Sequence, residues 1–135
     1  MANYNQPTRT TVVGGIKTVK NYGVSDIAEG LCVKPDTSNT GSNSAPMGVI
    51  LTADDAKAWA VTMQIIKAGQ SGEVQTLGQT WATASGTIHV GDPLMTDSAG
   101  KVLAQTAGKY QIGIAVSEAV SGDPCQFDIA RAKNA

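Results

Sequence analysis

The chain has 135 residues, a net charge of −1, 16% charged residues and 4% aromatics (one Phe, two Trp, three Tyr). Ten Lys and Arg against eleven Asp and Glu leave no basic excess for nucleic acid. A 41% hydrophobic, nearly neutral chain is also not a disordered one, and no apolar run nears the roughly 18 residues that cross a bilayer.

Residues 1–11 are polar and interrupted by Pro7, which reads as an extended arm without a core of its own. They lack the hydrophobic segment of a signal peptide, so a cytoplasmic product is expected. Residues 12–135 read as a single β-rich domain. Thr11 to Val24 alternates loosely around the pair Gly14-Gly15, which suggests a bend or bulge. Ile27 to Pro35 reads as a short strand stopped by proline. Asp36 to Pro46 is a long polar loop, Met47 to Leu51 a compact buried strand, and Gln70-Ser71-Gly72-Glu73 another loop.

The later text resembles the earlier. Leu94 falls on Leu31 at an offset of 63, Ile112 to Val116 on Met47 to Leu51 at 65, and Cys125, Phe127 and Ile129 on Val61, Met63 and Ile65 at 64. Three blocks in order indicate an internal duplication, with pseudo-repeats over about 12–66 and 75–131. The repeat bears on Thr52 to Lys67, which has both a helical and a strand periodicity. Its counterpart contains Ser121-Gly122-Asp123-Pro124, which a continuous helix cannot hold. A strand over Trp59 to Ile66 is therefore expected, with room for one helical turn at Asp54-Asp55. Short strands broken every 8–12 residues by Gly, Pro, Asp or Ser spell an all-β sandwich or barrel.

No catalytic constellation emerges. His89 is the sole histidine and alternates with Ile88 and Val90, as a residue on the polar face of a strand does. Asp92 and Asp123 sit in Gly-Asp-Pro turns, where a carboxylate bonds local amides. Two cysteines in apolar stretches, Cys32 and Cys125, read as buried thiols, and with one histidine they offer no metal-ligand spacing. No cofactor and no metal are expected. Trp81, set among small polar residues, is the better of the two tryptophans for a surface or subunit contact.

The phrase Val90-Gly91-Asp92-Pro93-Leu94-Met95-Thr96-Asp97-Ser98-Ala99-Gly100-Lys101-Val102, followed by Ile112-Gly113-Ile114-Ala115-Val116 and Ser121-Gly122-Asp123-Pro124-Cys125-Gln126-Phe127, resembles the head decoration (capsid cement) proteins of tailed bacteriophages. The resemblance covers residues 87–130 well and 24–66 loosely. It implies a β-rich structural virion protein without catalysis. Such a protein binds the outside of a capsid, stabilises the head shell and is made in the host cytoplasm. It also implies the major capsid protein as partner, a homo-oligomer with a trimer favoured, and neither nucleic acid nor membrane. Candidate contacts are the arm residues Ala2, Asn3, Tyr4, Asn5, Gln6, Pro7, Thr8 and Arg9, ordering on a neighbour, together with Trp81. The competing reading is a β-sandwich carbohydrate-binding or host-adhesion module with Trp81 or Trp59 as its sugar platform.

Overall fold

The computed structural model describes residues 15–41, 46–51 and 57–133. Among them every regular element is a strand: β1 (Ile16–Lys20), β2 (Cys32–Pro35), β3 (Val49–Leu51), β4 (Ala60–Thr62), β5 (Ser71–Gln75), β6 (Gln79–Thr83), β7 (Pro93–Thr96), β8 (Val102–Ala104), β9 (Tyr110–Ala115) and β10 (Pro124–Lys133). They form two five-stranded antiparallel sheets, ordered β1-β5-β4-β2-β3 and β6-β10-β9-β7-β8. The protein is an all-β sandwich, as the turn spacing indicates.

Each sheet is a contiguous half of the chain, and the two orders are the same. The register makes the equivalence residue by residue. Thr18 faces Glu73 as Trp81 faces Gln126. Val33 faces Leu51 as Leu94 faces Ala104. Val61 faces Gln75 as Ile114 faces Asp128. The offset is thus 63 in the first strand, 61 in the second and 53 from the third onward. The drop of eight is the extra length of the β2–β3 connection (36–48) over the β7–β8 connection (97–101). The sequence matches at 64 and 65 are one strand out of step: β9 corresponds to β4, and β10 to β5. Strand grammar permits this slip because Val, Ile and Gly recur at the same period in every strand.

Two segments differ from expectation. Ser71 to Gln75 is β5, not a loop, since its backbone pairs β1 on one side and β4 on the other. The strand expected over Trp59 to Ile66 covers only Ala60–Thr62, all three buried, and Ile65 is 48% exposed. The chain bends there and returns to pair Ile66 with Ile27. The turn suggested at Asp54-Asp55 and the arm 1–11 lie outside the described residues.

Each sheet curls until its first and third strands touch. One parallel bridge joins Lys20 to Gly48, and another joins Ala84 to Val102. Inside the first curl lie Val19, Ile27, Val33, Val49, Ala60, Ile66 and Val74, flanked by Leu51 and Trp59. The other cluster fills the second curl with Ile88, Leu94, Val102, Ile112 and Phe127 and reaches across to Cys32, Ala58 and Val61 of the first half. That shared cluster holds the sheets together; burying each such aliphatic side chain contributes roughly 1.5–3 kcal/mol. Both cysteines are free and buried within it. Burial pushes both thiols up, that of Cys125 to about 11, so neither is a nucleophile at neutral pH.

Candidate functional site

The site features of this chain are surfaces. The first is the joint between the halves. Gly30 ends a turn with φ +75°, and its backbone lies flat against the Trp81 ring: a Cβ there would stand 2.2 Å from Cζ3. Thr83 N–H donates to the Gly30 carbonyl at 2.8 Å, and Cys32 N–H donates to the Gly100 carbonyl at 2.7 Å. On the far side Arg131 Nη1 donates to the carbonyls of Trp59 (2.7 Å) and Thr76 (2.8 Å). A pairing irregularity between Ile129 and Ala132 breaks the regular register around Arg131. Trp81 is therefore 8% exposed and spent on its own chain. The expected surface or subunit contact at Trp81 is corrected to a contact between halves, because a ring packed on a bare glycine has little area left. Nothing in the polar text around Trp81 signalled this; the partner, Gly30, is 51 residues away.

The second surface is the end of the second half built from the β6–β7 and β9–β10 loops. Val90, Val116 and Val120 are exposed there (61, 39 and 54%). The turns that raise them are set by carboxylates, as the Gly-Asp-Pro composition indicates. Asp92 Oδ2 accepts from His89 N–H at 2.9 Å, and Glu118 Oε2 accepts from Val90 N–H at 2.6 Å. His89 Nδ1 lies 3.1 Å from Glu118 Oε1. The histidine sits in a turn beyond the Ile88 bridge and is exposed. The Glu118 hydrogen bond and charge raise the His89 pKa above 6.5, and His89 with Val90 N–H holds Glu118 below 4.5. The pair is doubly charged between those two titrations. Its support fades as pH rises through the His89 value or falls through that of Glu118. NMR titration of the imidazole should give a midpoint above 6.5 that returns toward 6.5 in Glu118→Gln. An unmoved midpoint would remove the ion pair.

A third feature is a groove of about 320 Å³ lined by Lys57, Tyr110, Gln111, Arg131 and Ala132, with the Lys57 ammonium 5.7 Å from the Tyr110 ring centre. Among the described residues no three His, Cys, Asp or Glu side chains group to hold a metal. Trp59 is half-buried against the first core. Trp81, covered by the Gly30 turn, presents no open face for a sugar platform. The arm residues Ala2 to Arg9 lie outside the described residues.

A family model for phage cement proteins matches residues 36–129, more than half of the chain. The chain belongs to the phage cement protein family. The fold agrees with a solved phage protein. The cement chain superposes on a crystal structure titled as the head fiber gp8.5 N base of bacteriophage phi29. The TM-score is 0.70 at 20% sequence identity, over 89% of this chain and 97% of that one. No curated protein sequence matches significantly. This cement protein is a structural component of the virion head, located at the capsid, as its Gly-Asp-Pro and Ile-Gly-Ile-Ala phrases imply.

Proposed function

We propose that the chain attaches to the outer face of the capsid as a trimer, bound to the major capsid protein, and stabilises the shell by spanning neighbouring subunits. Its amino-terminal residues Ala2 to Arg9 order on a capsid neighbour, and it carries out no chemical reaction. The observation that carries this reading is the cement-family match over residues 36–129. The matched fold, a phage head protein, supports the structural over the catalytic role. Symmetric copies multiply weak contacts through effective concentration, so a small, nearly neutral subunit can hold a shell firmly.

The test uses heads of the encoding phage assembled without this protein. Purified chain at micromolar concentration should co-sediment with them and raise the temperature at which they release DNA. Deleting residues 2–9 should weaken binding about tenfold or more, as loss of roughly 1.4 kcal/mol or more of contact would. Heads that neither bind the chain nor gain heat resistance would refute the reading.

A further inference from the structure

The groove between Lys57 and Arg131 is built from both halves of the chain. Lys57 precedes β4 of the first half, while Tyr110 and Gln111 open β9 and Arg131 and Ala132 lie near the end of β10 in the second. Its volume of about 320 Å³ is at the small end of the roughly 300–1,000 Å³ of ligand sites, which suits one inserted side chain. Its charge is one-sided. Two cations line it and no Asp or Glu does, although the chain as a whole is nearly neutral. The ion pairs among the described residues are Lys67 with Asp26 and His89 with Glu118, so neither Lys57 nor Arg131 has a carboxylate partner among them.

The hydrogen bonds around the groove leave donors, not acceptors. Gln111 Nε2 donates to the Ala130 carbonyl at 2.6 Å, and Arg131 Nη1 donates to the carbonyls of Trp59 and Thr76. Three acceptors that would repel an anion are thereby covered, and the guanidinium is held in place. Nη1 is occupied, but the Nε–Nη2 edge of Arg131 has no partner among the described residues. That edge is the planar pair of donors that matches a carboxylate. The Lys57 ammonium is held beside it over the Tyr110 ring. Both cations are exposed, so a partner reaches them without rearrangement. The Tyr110 ring and the Ala132 methyl form an apolar wall for the methylenes of an acidic side chain, where a bare phosphate has nothing to place.

We propose that this groove takes an acidic segment of the neighbouring head protein, with one Asp or Glu carboxylate on the Nε–Nη2 edge of Arg131 and Lys57 beside it. The proposal rests on the capsid-binding reading above and names the chemistry of the partner. Because Lys57 and Arg131 come from different halves, the bound segment also braces the seam that Arg131 already ties at Trp59 and Thr76.

Two measurements test it. In the first, a blocked tetraglutamate peptide is titrated at low salt into the isotope-labelled full chain, at the roughly 1–10 mM suited to a few exposed charge contacts. The amide resonances of Gln111, Arg131 and Ala132 should shift, and a tetraglutamine peptide should leave them in place. Equal shifts with tetraglutamine, or with inorganic phosphate at the same concentration, would overturn the proposal. So would a response seen only in Asp54→Asn/Asp55→Asn, which would mean that the chain's own acids fill the groove. In the second, heads assembled without this protein are mixed with wild type, Lys57→Glu and Lys17→Glu. Lys57 is exposed and touches one ring, so its variant should keep the wild-type melting temperature while binding heads about tenfold more weakly. Lys17→Glu makes the same charge change on β1 and should bind as wild type. Equal loss in both variants would reveal a general charge effect and overturn the groove. Undiminished binding of Lys57→Glu would also overturn it and leave the capsid reading standing. Heads that bind no form of the chain would overturn both.

Discussion

Trp81→Ala should lower the folding stability by about 3–5 kcal/mol, the range for emptying a packed tryptophan site. Urea unfolding followed by circular dichroism would measure it. The ring is 8% exposed and lies between β6 and the Gly30 turn, so its loss opens a void between the halves that neither sheet can close alone. Gly30→Ala attacks the same contact from the other side. It adds a methyl 2.2 Å from the ring and imposes a positive φ on a residue with a Cβ. The two changes are strongly non-additive: alanine at 30 should cost much less once Trp81 is already alanine, because only the backbone strain remains. A loss under about 1 kcal/mol for Trp81→Ala would mean that the joint does not depend on this contact.

Phe127→Ala should cost a similar amount, about 3–5 kcal/mol, from the inside of the second half. Phe127 is the only phenylalanine, fully buried, and the largest side chain in its cluster. It packs under Gly113, where a Cβ would lie 2.5 Å from Phe127 Cδ2 and 2.3 Å from the Asp128 carbonyl oxygen. The β9–β10 pair can approach that closely only because residue 113 has no side chain. Phe127→Leu keeps most of the volume and should cost less, about 1.5 kcal/mol or below. Thermal melts would separate the two, and equal losses would show that burial there is not limited by size.

The sequence made the class of fold legible because turns are local chemistry. The Gly-Asp-Pro turns and the Asp97 to Gly100 hairpin can be read residue by residue, and Asp97 Oδ1 does accept from Ala99 N–H at 2.9 Å. What was not legible was long-range. The duplicated order appears only in the pairing, since a one-strand slip leaves the Val/Ile/Gly pattern intact. The strand at Ala60–Thr62 was expected through a counterpart, β10, that is not its equivalent; β9 is, and the conclusion stood because β9 is also a strand. Ser71-Gly72-Glu73 looked like a turn because glycine and serine are turn residues. Here Gly72 lets Ile66 pack on the strand, with a Cβ position 2.7 Å from its Cγ1. Trp81 was legible as an anchor but not its target. The valine end is not legible in the sequence, because isolated exposed valines carry no signal until the loops bring them to one place.

The bridges from Lys20 to Gly48 and from Ala84 to Val102 matter for crowding. A head shell holds many copies of one chain side by side, a local concentration at which open strand borders of like molecules zip together and precipitate. Rolling each half until its first and third strands meet at one residue pair closes part of that border. Indiscriminate backbone pairing between copies is thereby reduced. For a structural component of a virion head, that protection keeps neighbouring copies from fusing edge to edge.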